Sequence, residues 1–226
     1  MRGVSLIELM IGMVLGLIVV AAVFNVYTGT ARSARFSDGL QTLQENGRHG
    51  IGVLQRGLRL AGYSTTVPLV PLDIAGADAT GAGATTVIVN TTAASDCAGG
   101  STAATGGVAS NVYRFDPARN AITCAAVGTA ETDAIELIDD VDAFRVLYGL
   151  DEDDDGTPER FVPWSAGLAP RSVAALRVAL LVNSGSPIRA RERAQDHAML
   201  DVVETLPADR LVRHVFQSTV LVRNRP

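Results

Sequence analysis

The chain has 226 residues, 47% of them hydrophobic and 19% charged, with a net charge of −5 and a sequence pI near 5.2. All 19 basic residues are Arg, and the acidic balance argues against a protein that binds nucleic acid by bulk charge. The length has room for one anchor helix and one globular domain of roughly 150 residues with its own core.

The chain begins Met1-Arg2-Gly3-Val4-Ser5-Leu6-Ile7-Glu8, and the apolar run continues to Phe24. At ~1.5 Å per residue, Val4 to Phe24 makes a helix of about 31 Å, close to the ~30 Å hydrocarbon core of a bilayer. A carboxylate at the centre of such a span costs on the order of 2.5–3.5 kcal/mol and less near its end, so Glu8 permits insertion but asks for a cationic partner. A free amine at Val4, made by cutting after Gly3, is the nearest candidate, and a neighbouring copy of the same segment could present it. Arg2 before the span and Arg32 and Arg35 after it leave the positive-inside count undecided.

Gly3 followed by Val4-Ser5-Leu6-Ile7-Glu8 and a long apolar helix resembles the leader of type IV prepilins and type II secretion pseudopilins. The resemblance implies cleavage by prepilin peptidase after Gly3, methylation of the new amine at Val4, and pairing of Glu8 with a neighbour's amino terminus. Val4 departs from the Phe or Met usual at that place. It also implies an orientation, with the leader in the cytoplasm and the domain outside. An ordinary signal peptide or bitopic anchor is the bland alternative, against which Glu8 stands.

From Asn25 the sequence turns amphipathic without a break. Phe36, Leu40, Leu43, Gly47, Ile51, Leu54, Leu58 and Ala61 recur at steps of three and four, which predicts one helix face packed on a domain. Gly47, Gly50, Gly52 and Gly57 each cost up to ~1 kcal/mol against Ala, so this half needs tertiary support. The helix is expected to stop near Ala61-Gly62-Tyr63, with Gly62 as a left-handed cap and Pro68 beyond it. No proline precedes Pro68, and Gly12-Met13-Val14-Leu15-Gly16 permits close helix approach.

Residues 64–110 are rich in Ala, Gly, Thr and Ser and read mostly as irregular loop, with one β-prone run, Thr85 to Val89. Val112 to Phe115 and Ala121 to Cys124, joined by Asp116-Pro117-Ala118-Arg119-Asn120, predict a hairpin. Ile135 to Ile138, Asp142 to Tyr148, Val173 to Val182 around Arg177, and Leu211 to Val222 are further strands. Residues 184–209, with Arg189, Arg191 and Arg193 followed by acids, read as a polar loop with room for a short helix. Contact of this arginine cluster with DNA is disfavoured by Asp196, Asp201, Glu204 and Asp209 close behind it.

Arg59 to Tyr63, Val146 to Asp151, and Val215 to Arg225 with its Arg-Asn-Arg ending are similar to the minor pilin family PilW. With the leader, these segments run through nearly the whole chain. The fold implied is α+β and type IV pilin-like: a leader (1–3), a membrane-spanning and filament-core half-helix (4–24), an amphipathic half-helix (25–62) and a β-rich periplasmic domain (63–226) built on an antiparallel sheet. The function implied is that of a minor pilin that associates with other minor pilins and the major pilin to prime or cap a type IV pilus used in twitching motility and adhesion. A type II secretion pseudopilin and a membrane-anchored adhesin or binding module stay open as alternatives. The implied location is the inner membrane before assembly and the pilus at the cell surface afterwards.

In that oxidising compartment Cys97 and Cys124 are expected to pair, closing a loop worth about 3–4 kcal/mol; two reduced buried thiols are the alternative. Asp151-Glu152-Asp153-Asp154-Asp155-Gly156-Thr157-Pro158-Glu159 offers oxygens at places one, three, five and nine and Gly at six, as a calcium loop does. It departs from the EF-hand at place twelve, Val162, and strands rather than helices flank it. Asp151, Asp153, Asp155 and Glu159 are therefore candidate calcium ligands set against a plain solvated turn. No cofactor is required, and His49, His197 and His214 are scattered without any catalytic motif, so no enzyme is expected.

Overall fold

A computed structural model describes residues 5–65, 69–72, 85–165 and 168–225, with Glu131 described by its backbone alone. The leader residues Met1 to Gly3, the expected new amino terminus Val4, and Pro68 lie outside the described residues.

One helix, α1 (Leu6–Arg59), runs 54 residues without a break. The absence of proline permits this length, and the two halves meet different surroundings. From Leu6 to Tyr27 every large apolar side chain is 56–78% exposed. From Gly39 onward, Gly39, Leu43, Gly47, Gly50, Leu54 and Leu58 form a buried stripe at steps of three and four. Phe36 is half exposed and Gly39 takes its place at the start of the stripe.

Glycines set how closely this stripe approaches the domain. A Cβ at Gly47 would stand 2.1 Å from the Phe216 ring, and one at Gly57 would stand 2.2 Å from the Tyr113 hydroxyl. Both residues therefore hold positions where any side chain would displace an aromatic one. Gly52 lies open, and among the described residues such a Cβ would meet only Arg56 Nη1, at 3.7 Å, beyond the helix's own backbone.

Among the described residues the domain contains ten strands: β1 (Thr86–Thr92), β2 (Val108–Asp116), β3 (Ala121–Ala126), β4 (Ile135–Ile138), β5 (Val141–Leu150), β6 (Arg160–Val162), β7 (Val173–Asn183), β8 (Arg193–Met199), β9 (Val202–Asp209) and β10 (Arg213–Leu221). They form antiparallel sheets in the orders β1-β2-β3-β4 and β10-β7-β5-β6, with β8-β9 as a separate hairpin. The architecture is thus α+β, a long helix on antiparallel sheet. Leu54 and Leu58 of α1 share one core with Val87 and Val89 of β1, Ile122 of β3, Tyr148 of β5 and Leu176, Val178 and Leu180 of β7. On the other face of the second sheet, Ala143, Ala179 and Leu181 pack with Met199 of the hairpin.

The hairpin β8-β9 corrects the expectation of a polar loop at 184–209. Its inward set is little more than Met199, Val202 and Leu206, too few apolar residues to show a period of two. Ion pairs fix it as well: Arg145 grips Asp201 at the turn through two bonds of 2.8 and 2.7 Å, and Arg213 of β10 grips Asp209. Arg189 in the loop before it bonds Gln195 of β8, while Arg191 and Arg193, the first residue of β8, stay exposed. Segment 64–110 likewise holds more strand than expected, because β1 runs on to Thr92 and β2 begins at Val108. Arg177, the lone charge of central strand β7, lies over the Phe161 ring at 3.9 Å.

Candidate functional site

Two surfaces are built by the residues singled out in the sequence. The first is the exposed apolar half of α1, where Glu8 occupies the N3 position behind the N-cap Ser5. The Ser5 backbone N–H donates to Glu8 Oε2 at 3.4 Å, so within one chain the carboxylate reaches back along the helix toward its amino end.

The second is a seam where three distant segments meet. α1 ends at Arg59 with Leu60 as a right-handed cap, not Gly62 as the sequence suggests. Gly62 instead turns the chain at φ +75° one residue past Ala61, and its N–H donates to the Asn90 carbonyl at 2.8 Å. A Cβ there would meet the Asn224 carbonyl oxygen at 2.1 Å. The Asn224 side-chain amide donates to the carbonyls of Ala61 at 3.1 Å and Arg59 at 3.5 Å, satisfying acceptors that the helix end leaves open. The next residue, Arg225, reaches the acidic loop: its Nη2 lies 2.7 Å from Asp151 Oδ2.

Asp151 is buried, and its backbone is tied to Ser172. Its carboxylate also accepts from the N–H groups of Asp155 at 3.1 Å and Gly156 at 2.9 Å. Burial pushes the Asp151 carboxyl up, but the Arg225 guanidinium and the backbone N–H groups outweigh it and hold the carboxyl below the usual range. The rest of the loop is exposed. Glu152 pairs with Arg160 at 2.6 Å, Glu159 accepts from the Glu152 N–H at 2.7 Å, and Asp155 accepts from Thr157. One oxygen from each of Asp151, Asp153, Asp155 and Glu159 lies within 4.8 Å of the others. The four residues that the spacing singles out thus converge, and they could hold a hard cation. Arg225 occupies an oxygen of the first of them.

The loop before β2 is fastened by a disulfide between Cys97 and Cys124, with Cα atoms 6.2 Å apart. The Cys97 N–H donates to Asn111 Oδ1 at 2.9 Å. The histidines stay apart on α1, β8 and β10. Burial first, then Arg213 and Arg189, lower the pKa of His197.

A model of the family described as PilW, type IV pilus-assembly protein W, matches residues 108–224, more than half of the chain. The chain belongs to the PilW family. The match runs from the first residue of β2 to Asn224, the residue that caps α1. It therefore holds Asp151 and the acidic loop, and leaves α1 outside. A type IV-like pilin from Thermus thermophilus is similar in structure, at 19% identity and a TM-score of 0.46, over 81% of this chain and 97% of that one. Comparison with curated proteins gives no match.

In this PilW chain the segments quoted for the resemblance, Arg59 to Tyr63, Val146 to Asp151 and the Arg-Asn-Arg ending, meet at a single seam. Sequence reading missed that convergence, as it missed the close-approach role of Gly47 and Gly57. A glycine in an amphipathic stripe was the available signal for the latter; nothing local pairs Arg225 with Asp151.

Proposed function

We propose that this PilW protein is a minor pilin that primes or caps a type IV pilus by lateral association of its N-terminal helix with other minor pilins and the major pilin. In this reading prepilin peptidase cuts after Gly3, Val4 becomes the methylated amino terminus, the span holds the precursor in the inner membrane, and the domain faces the periplasm. Assembly then carries the subunit to the cell surface, where the pilus serves twitching motility and adhesion. The observation that supports this most is the division of α1. Its first half exposes an unbroken apolar surface from Leu6 to Tyr27, while its second half is docked on the domain. Such a surface is far larger than a soluble monomer tolerates and fits lipid first and helices of other subunits later.

Glu8 carries the test. When the helices leave lipid for a packed filament, the carboxylate and the Val4 amine both lose solvent, and removing one partner of a desolvated pair costs on the order of 3–5 kcal/mol. Glu8→Leu is expected to leave insertion and cleavage intact while cross-linking to other pilins and the number of pili fall. Normal piliation in a strain carrying only Glu8→Leu would reject the assembly role of this residue.

The acidic loop adds a second proposal, that Asp151, Asp153, Asp155 and Glu159 bind calcium. Its support is their convergence within 4.8 Å, and the test is the calcium titration described below.

A further inference from the structure

Among the described residues, one long sheet edge is left unguarded. β1 is covered on its free side: the Asn90 N–H donates to the Pro71 carbonyl at 3.0 Å, and the Asn90 carbonyl accepts from the Gly62 N–H at 2.8 Å. β4 and β6 are only four and three residues long. In the hairpin, a register shift at Arg193/Gln195 interrupts β8, and β9 carries Pro207. β10 stands at the end of the second sheet, pairs with β7 over nine residues without a register shift and contains no proline. An edge of that length and regularity is a template for another strand.

The register shows which groups of β10 are free. The Val222 N–H donates to the Ala174 carbonyl at 2.8 Å, and bonded residues alternate along an antiparallel ladder. His214, Phe216, Ser218 and Val220 therefore direct their main-chain groups at β7. On β7 the intervening residues bond toward β5 instead, as where the Asn183 N–H donates to the Asp140 carbonyl at 2.8 Å. Val215, Gln217, Thr219 and Leu221 turn their N–H and C=O groups outward, and these meet no main-chain partner among the described residues. Gln217, Thr219 and Leu221 are exposed, and from Val215 to Val222 the chain carries no charge that would repel a neighbouring strand.

We propose that the β10 edge receives an extended strand from a different pilin subunit, which adds to the second sheet. The proposal rests on the pilin assembly reading and gives it a contact between domains. β10 runs in the direction of α1: Gly47 lies against Phe216, Gln55 Nε2 donates to Ser218 Oγ at 2.6 Å, and Asn224 Nδ2 donates to the Ala61 carbonyl at 3.1 Å. The open edge thus continues the surface that the exposed half of α1 begins, and a pilin whose helix packs beside that half brings its own domain alongside β10. A second copy of this chain fits the edge poorly. Paired antiparallel, β10 to β10, it would run its helix against the first, and the two spans could not enter one membrane from the same side. Main-chain bonds supply such pairing, and the alternating side chains select the partner.

The register also supplies the test. Gln217→Pro removes an outward N–H and leaves the ladder to β7 whole, whereas Ser218→Pro breaks that ladder. Full-length chains carrying Gln217→Pro, Gln217→Ala or Ser218→Pro each replace the wild type in the cell. Tm is read in detergent micelles, and recruitment is read by mass spectrometry as the share of the chain found in sheared, washed pili. Gln217→Pro is expected to keep the wild-type Tm and to lose at least about fivefold in recruitment, the scale of one main-chain bond. Gln217→Ala is expected to keep both, and Ser218→Pro to lose Tm. Full recruitment of a folded Gln217→Pro chain overturns the proposal, and so does an equal loss with Gln217→Ala, which assigns the effect to the side chain. A fall in Tm with Gln217→Pro as large as with Ser218→Pro places that N–H on the ladder and overturns the open edge. Hydrogen exchange of the wild-type chain alone in micelles checks the occupant: the amides of Gln217, Thr219 and Leu221 are expected to exchange fast while those of Phe216, Ser218 and Val220 are protected. Protection of the first three that grows with protein concentration makes the occupant a second copy and overturns the proposal. Absence of the wild-type chain from the pili overturns the assembly reading itself.

Discussion

Replacing Gly47 by Ala separates intrinsic helix preference from packing, because the two act in opposite directions. Ala in a helix interior is favoured over Gly by up to ~1 kcal/mol. At Gly47 the new Cβ would lie 2.1–2.3 Å from three atoms of the Phe216 ring. That ring packs on the main core and sits edge-on to His214 at 4.9 Å between centroids. Either the ring stays and the site is overpacked, at about 1–3 kcal/mol, or it swings out and loses burial worth about 1.5–3 kcal/mol. Both exceed the propensity gain, so Gly47→Ala should be net destabilising by up to ~2 kcal/mol. Gly52→Ala meets no such ring and should be stabilising by up to ~1 kcal/mol. For a chain of this size each kcal/mol moves Tm by roughly 2–4 °C. Thermal unfolding of the full chain in detergent micelles, followed by circular dichroism, should show shifts of opposite sign. Equal upward shifts for the two variants would refute the close approach of α1 to β10.

Removing the Cys97–Cys124 bridge by paired Ser substitution should lower stability by about 3–4 kcal/mol at most, read from denaturant midpoints, and no change would deny it a structural role. Because the Asp151 carboxyl is held below its usual range in the folded chain, the Arg225 pair contributes stability above about pH 4, the unfolded value, and loses it as pH falls through the folded one. Arg225→Ala should therefore lower Tm at pH 7 and by progressively less as pH falls through the folded-state value, whereas a pH-independent difference would remove the ion pair as its cause. Millimolar calcium should raise Tm by an amount that grows with RT ln(1 + [L]/Kd), and Asp153→Asn with Asp155→Asn should abolish the rise. An unchanged Tm, or an equal rise in the double variant, would leave a plain acidic turn.

How much could be read in advance follows from how local each signal is. The helix was legible because Leu43, Leu54 and Leu58 repeat with its period, and the hairpin of β2 and β3 because Asp116 to Asn120 is turn chemistry between two apolar runs. Central strand β7 announced itself as an apolar run buried on both faces. The hairpin β8-β9 did not, since salt bridges through Asp201 and Asp209 do part of the work that apolar alternation does elsewhere. The seam was only half visible. Gly62, Asp151 and Asn224 each stood in a segment worth quoting, yet their meeting depends on a C-terminus that returns across more than 160 residues to cap α1. The acidic loop was legible as a ligand pattern, while the guanidinium that sits on its first carboxylate belongs to the far end of the chain.

The central claim is that this PilW protein becomes a pilus subunit through its N-terminal helix. Mass spectrometry of sheared, washed pili tests it most directly, by asking whether the chain is present and where it begins. The account predicts peptides of this chain in the filament fraction with Val4 as a methylated amino terminus. Recovery of the chain only from the membrane fraction, or incorporation of a form that still begins at Met1, would contradict it.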